Sequence, residues 1–346
     1  MNIAPRLRNS GTYVLFVIIC VTFGIIAPNF ATTTNLRLVL IEIAPVVISG
    51  AAVTFVMVSG SLDLSVGGVL EISGVVAADL SAHGVPLVVC FLGGVAIGAL
   101  VGLINGYLVV GLGINAVIAT LGTWYVADGV ANLVAYNGSA ITAVSNSFGT
   151  LGEGSAGPIP YSLMVMVAVV LIFIVLERKT LMGKYSIAIG SNHEGARLAG
   201  LRVNRIRVLL FVASGAATGL AGILVASRLD SGQPTVGTNF EFEVIVAAIL
   251  GGVALTGGKG TVLGVCVGAA IVGVINNALD LLNIQSYWQE IIEGLILVAV
   301  VAFGVLAKID AGRSPWLKLF GKRTRTSSDG DVANSDGASA SGGAAT

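Results

Sequence analysis

Tyr185-Ser-Ile-Ala-Ile-Gly-Ser-Asn-His-Glu-Gly-Ala-Arg-Leu-Ala-Gly-Leu-Arg-Val-Asn204 is a polar island in an apolar chain. One apolar run ends near Glu177 before it, and another begins near Ile206 after it. Asn192 is a good helix N-cap. Glu194 falls in the first turn and Arg197 near the last, as the helix dipole prefers. Gly200 sits where a C′ glycine stops a helix. The stretch reads as one short, capped surface helix. The alternative is an ordinary connecting loop.

The surroundings of the island belong in lipid. Of the 346 residues, 55% are hydrophobic and 10% charged, against about 25% charged in soluble domains. The 47 glycines show no collagen period and suit helices packed closely in a membrane. Net charge is zero, which leaves no electrostatic case for nucleic acid. Cys20, Cys90 and Cys266 each lie inside an apolar run and behave as small hydrophobes. No disulfide and no zinc-type spacing is expected.

A stretch of about 20 apolar residues crosses a bilayer. The candidates are 12–28, 38–58, 64–82, 86–110, 114–135, 161–177, 206–228, 241–256, 259–279 and 288–307. The third carries Glu71 and Asp79; the eighth is short and starts with Glu241 and Glu243. Arg6 and Arg8 before the first run resemble a signal peptide, but no small-x-small cleavage site follows, so this run is expected to be a retained helix. With the N-terminus inside, 16 of the 18 Lys and Arg residues fall in or beside the cytoplasmic segments, Arg37 and Arg228 being the exceptions. Residues 136–160 contain none. This is a positive-inside pattern; it puts the island inside and the bare loop outside. Eight crossings preserve the same sidedness as ten.

The expected fold class is therefore all-α: a polytopic membrane protein of about ten transmembrane helices, both termini cytoplasmic. Residues 1–11 form a cytoplasmic N-terminus and 12–307 the transmembrane domain, with 185–204 as its polar cytoplasmic segment. Residues 308–346 form a basic, then Ser/Asp/Gly/Ala-rich cytoplasmic tail, whose composition cannot bury a core and whose basic cluster suits anionic lipid headgroups.

The chain partly repeats itself. Gly102-Leu-Ile-Asn-Gly106 resembles Gly273-Val-Ile-Asn-Asn277, and Ser49-Gly-Ala-Ala52 resembles Ser214-Gly-Ala-Ala217. Two related halves with a path between them is a common transporter plan; chance matches among Gly and Ala are the other explanation.

Charge inside the membrane costs about 2.5–3.5 kcal/mol on insertion scales, so Asp63, Glu71, Asp79 and Asp128 should face protein or water. Asp63 lies in Ser59-Gly-Ser-Leu-Asp-Leu-Ser-Val-Gly-Gly68, a stretch suited to a broken helix whose backbone lines a cavity, or to a helix connection that Asp63 caps. Asn105, Asn115, Thr120, Asn132 and Asn276 are neutral hydrogen-bonding groups. They suit an uncharged hydroxylated solute, and equally suit interhelical hydrogen bonds. Asp63, Ser65, Asn105, Asn115, Thr120 and Asn276 are the candidate path residues. His83 and His193 fall on opposite sides, so no catalytic set or metal cluster is expected. Thr256-Gly-Gly-Lys-Gly-Thr261 is not a Walker A loop, because Gly260 follows Lys259 and position 254 is alanine. No cofactor is expected, and no enzymatic activity of its own.

Five ordered motifs carry a resemblance. They are Ser59 to Gly68, Ile104-Asn-Gly106, Ile114 to Thr123, Gly190 to Gly200, and Ala247 to Gly252 followed by Leu255 to Gly260. Together they resemble the permease subunits of bacterial ATP-binding-cassette importers of the ribose, xylose, arabinose and galactose type. The resemblance implies transport of a neutral monosaccharide across the bacterial cytoplasmic (inner) membrane. It implies a cytoplasmic ATP-binding subunit, an extracytoplasmic solute-binding protein and a second permease copy, most simply a homodimer. It makes 185–204 the coupling segment, with Gly190, Asn192, Ala196, Arg197 and Gly200 as its contact residues. The alternative is a free-standing, ion-coupled transporter or channel for a small polar solute.

Overall fold

The computed structural model describes residues 4–143 and 147–310. The chain divides into two units, 1–298 and 299–346. Every contact below lies within the first; the described residues 299–310 of the second are helical. Predictions for the tail beyond 310 lie outside the described residues.

Each expected crossing has a helix. They are α1 (Ala4–Ile26), α2 (Thr33–Val58), α3 (Val66–Ala82), α4 (Leu87–Gly106, continued by a π-turn at Tyr107–Gly111) and α5 (Ala116–Val134). A small cap follows: β1 (Ile141–Thr142), α6 (Thr150–Glu153), β2 (Ser155–Ala156) and β3 (Ile159–Pro160). Then come α7 (Tyr161–Lys179), α8 (Leu181–Ser191), α9 (His193–Leu198), α10 (Val203–Arg228), β4 (Ser231–Gly232), α11 (Phe240–Leu250), α12 (Val262–Leu281) and α13 (Ser286–Asp310).

The starts follow capping chemistry. Thr32, Thr180 and Thr261 accept from the backbone N–H groups of Asn35, Met182 and Gly264. Among the described residues six helices, α2, α4, α5, α7, α10 and α12, are long and apolar enough to cross a membrane. The first, third, eighth and tenth expected crossings, on α1, α3, α11 and α13, are not among them, and the apolar part of α1 is the shorter Gly11–Ile26. Helix α3 has 17 residues. Helix α11 has 11, a rise of about 16 Å, roughly half the hydrocarbon thickness. The apolar sequence runs on to Ala254, but Gly251 ends the helix and Gly252 turns with φ +87°.

The order of elements recurs. A 26-residue helix, a short helix and a 20-residue helix occur as α2–α3–α4 and again as α10–α11–α12. Packing crosses between these sets. Helix α10 lies on α3 and α4, while α2 lies on α11 and α12, and the two long helices touch each other. Glycine makes the closest of these contacts. A Cβ on Gly98 or Gly102 of α4 would strike the carbonyl of Gly215 or Phe211 on α10, and one on Gly215 would strike Gly98. Backbones that meet this closely gain dispersion contact that lipid cannot match. Between α2 and α12, Asn35 and Asn277 exchange amide hydrogen bonds of 2.8 and 3.0 Å in the buried core.

The cap between α5 and α7 is tied down. Strands β1 and β4 pair antiparallel, as do β2 and β3. Ser227 at the end of α10 donates to the Phe148 carbonyl at 2.6 Å and accepts from the Gly152 N–H at 2.8 Å. Phe148 is fully buried and stacks on Phe91.

Candidate functional site

Helix α2 ends at Val58 because the chain turns at Gly60, where φ is +84°. Residues 61–65 then run non-helical before α3. This broken connection brings Asp63 into the core with 1% exposure. Its Oδ1 accepts from the Ser65 N–H at 3.1 Å and the Ser65 hydroxyl at 2.6 Å, and its Oδ2 accepts from Ser214 of α10 at 2.8 Å. Asn105 of α4 donates to Ser65 Oγ at 2.7 Å and accepts from Thr123 of α5 at 2.6 Å. Thr120 accepts from the Leu64 N–H at 3.0 Å. Arg207 of α10 donates to Ser61 at 2.8 Å. One hydrogen-bonded node thus joins the 59–65 connection to α4, α5 and α10.

The polar island is two helices, not one. The C-terminal part of α8 occupies its first half, and α9 its second. Asn192 Oδ1 caps α9 by accepting from the Gly195 N–H at 2.8 Å. Gly200 closes it with φ +82°, and Leu201 N–H returns to the Ala196 carbonyl at 3.2 Å, the six-to-one bond of a Schellman stop. Arg197 and Glu194 pair on the exposed face at 2.6 Å. That hydrogen bond and charge hold the Glu194 carboxyl below the usual carboxylate range. Leu198 beside them is 78% exposed.

Two of the five expected contact residues point the other way. Ala196 is buried against Ile189 and Val203. Gly190 packs on this chain's own backbone: a Cβ there would strike the Val58 carbonyl and the Gly258 N–H. Their smallness serves close approach within the chain. The end of α8 therefore sits against two connections, the one after α2 and the one after α11. Those connections also touch each other, with Gly258 N–H donating to the Val58 carbonyl at 2.7 Å. Asn192, Arg197 and Gly200 remain exposed.

A third region is a cavity of about 290 Å³ walled by α2, α10, α11 and α12, with polar lining from Glu42, Arg228, Glu243, Asn276 and Asp280. Arg228 faces Glu42 at 3.9 Å, and Asn276 donates to Glu243 at 3.3 Å.

The structure divides the expected path residues. Asp63, Ser65, Asn105 and Thr120 meet in the buried node. Asn115 is the exposed N-cap of α5, accepting from the Val117 N–H at 2.9 Å. Asn276 lines the cavity. Among the other intramembrane carboxylates, Glu71 is buried and accepts from the Gly237 N–H at 3.1 Å, and Glu241 is buried on α11. Sequence reasoning did not find Thr123, Ser61 or Arg207 as partners. Ser214 stood in the repeated Ser-Gly-Ala-Ala stretch, which signalled its place without its role. Arg228 stood out as a basic residue on the wrong side of the positive-inside pattern, and the structure gives it a carboxylate partner.

Residues 35–301 match the family model described as branched-chain amino acid transport system / permease component. The L-arabinose ABC transporter permease protein of Azospirillum brasilense is 38% identical over 297 residues, 86% of this chain and 87% of that protein. The ribose import permease protein of Haemophilus influenzae is 36% identical over 296 residues, 84% of this chain and 91% of that one. The D-allose transport system permease protein of Escherichia coli is 34% identical over 294 residues, 84% and 90%. No solved structure matches.

Proposed function

The chain belongs to the permeases of ATP-binding-cassette sugar importers, in the family matched over residues 35–301, and on that premise we propose that it moves a neutral monosaccharide across the cytoplasmic membrane of a bacterium. Arabinose, ribose and allose are the solutes named for the relatives. All are neutral aldoses, and that shared chemistry sets the class. The energy comes from ATP hydrolysed in a separate cytoplasmic subunit.

The observation that carries the coupling is α9, a capped helix with Asn192, Arg197, Leu198 and Gly200 exposed together. It docks in a groove of the ATPase, with Leu198 as the apolar anchor and Arg197 as the polar contact. Gly190 and Ala196 transmit rather than touch: they seat α8 and α9 on the connections after α2 and α11. From there the Asp63 node reaches α4, α5 and α10. In this reading both termini are cytoplasmic, the recurring helix order marks two related halves, and α3 and α11 complete ten membrane-embedded segments without each spanning fully. A second copy of the chain completes the path, and a solute-binding protein delivers to the 136–160 side.

The test is reconstitution in vesicles with the ATPase and binding protein. ATP-dependent uptake of labelled arabinose, ribose or allose is expected. Arg197→Glu should leave inserted, folded permease whose uptake falls at least about tenfold, the effect of losing one charge-assisted contact and adding repulsion. Normal uptake by that variant would remove the docking assignment. The buried carboxylates Glu71 and Glu241 favour one second reading, an ion-coupled transporter. Solute flux by the chain alone under a proton or sodium gradient would establish it.

A further inference from the structure

Four charged side chains line the cavity between α2, α10, α11 and α12, and charge is costly where lipid surrounds. Here the four share one polar-lined cavity. Arg228 and Glu42 keep 41% and 36% of their side-chain surface, so both are reachable. Helix α10 runs 26 residues, about 39 Å. The coupling helix α9 adjoins its first residue, and Arg228 is its last. Asp280 likewise lies near the end of α12 remote from the Gly257–Gly260 connection on which α8 rests. The cavity therefore opens at the end of the helices opposite the coupling segment.

The mixture of groups is selective. Glu42, Glu243 and Asp280 are acceptors when ionised, Arg228 is a donor only, and the Asn276 amide is both. An anion would meet three carboxylates. A cation would meet the guanidinium, and each carboxylate is already engaged: Glu42 with Arg228 at 3.9 Å, Glu243 with Asn276 at 3.3 Å, Asp280 with Gln289 at 2.6 Å. A neutral molecule with several hydroxyls can donate to the carboxylates and accept from Arg228 and Asn276 without bringing a charge of its own. Neighbouring hydroxyls can donate as a pair to one carboxylate while their oxygens accept from Arg228 and Asn276. The 3.9 Å gap between Arg228 and Glu42 is one that a hydroxyl bridges. Apolar lining from Phe240 offers a surface for the C–H face of a ring. A cavity of about 290 Å³ is at the lower end of small-molecule sites.

We propose that Glu42, Arg228, Glu243 and Asn276 form a binding site for a neutral polyhydroxylated solute, the first protein contact a sugar makes in this chain on entering from outside. The proposal rests on the importer reading above and names the residues that hold its cargo.

The experiment uses the full transporter in vesicles, with its ATPase and binding protein and with Cys20, Cys90 and Cys266 replaced by serine. Asn276→Cys is labelled from outside with a membrane-impermeant maleimide. Labelling is expected, and D-ribose, or whichever aldose the unsubstituted transporter takes up, should slow it several-fold. Failure to label, or labelling indifferent to the transported aldose, overturns the site while leaving measured uptake, and so the importer reading, intact. Slowing by sodium or lysine instead overturns it in favour of a cation site. Absence of any aldose uptake by the unsubstituted transporter overturns the importer reading and this inference with it. Independently, Glu243→Gln should raise KM for uptake about tenfold; an unchanged KM counts against the site.

Discussion

Asp63 shows what one residue could and could not reveal. Its Ser/Gly surroundings left open a broken helix or a connection between two helices, and the structure has a non-helical connection between α2 and α3. Its role depends on Ser214, 151 residues away, and no local pattern encodes that pairing. Neutral groups such as Asn105 and Thr120 suit a path and a brace equally well by type. Here both are fully buried and bonded to neighbouring segments. The energetic consequence is testable. Removing Ser214's hydroxyl leaves a buried carboxylate oxygen short of a donor, and amidating Asp63 puts an NH2 where an oxygen accepted, so the Ser214 hydroxyl must turn to accept instead; the first costs about 1–3 kcal/mol. Because Ser214→Ala and Asp63→Asn disturb the same bond, they should be non-additive. A double-mutant cycle read by thermal unfolding in detergent should give a coupling of about 0.5–3 kcal/mol. Strict additivity would dissolve the node.

At the scale of elements, the abundance of glycine was the most legible signal of close helix packing. Gly94, Gly98 and Gly102 share one face of α4, and α10 occupies that face. Gly98→Ala should destabilise the protein by about 1–3 kcal/mol, since the added methyl meets the Gly215 carbonyl and rigid backbone must move. Gly122→Ala on α5 has nothing within 4 Å and should be neutral or slightly stabilising, as Ala usually is in a helix. Reversal of that order in thermal unfolding would contradict the packing. The short helices were less legible, because apolar composition continues through the turn that ends α11. Helix α9 carries its own prediction. Arg197 lowers the Glu194 pKa, so the pair's contribution is complete above the ordinary carboxylate range and fades only as pH falls through the depressed value. Both side chains are exposed, which limits the effect and makes it salt-sensitive. Binding of the ATPase subunit to the permease should therefore be flat from about pH 5 to about pH 8. Loss of binding near the ordinary carboxylate range would show that the pair does not persist.

For the whole molecule, the recurring order of helices was visible in sequence only as two short matches, at Ser49/Ser214 and Asn105/Asn276. The packing of each long helix on the opposite set was not visible, because contacts between distant segments leave no periodic trace. Charge predicts the sidedness: the 136–160 cap has no Lys or Arg, while the island and its flanks are rich in them. The structure supplies exposed reporters for both. Ala156 lies in β2 beside the hairpin turn at Gly157, and Leu198 lies on the open face of α9. The two sites are joined through α7, a 19-residue apolar helix about 28 Å long, which matches one bilayer crossing. An odd number of crossings between them requires opposite sides. In a background without native cysteines, Ala156→Cys should react with an impermeant maleimide added to intact cells. Leu198→Cys should react only after the membrane is opened. Labelling of both from one side would mean that α7 does not cross, and would take the coupling helix and the cap out of the roles assigned to them.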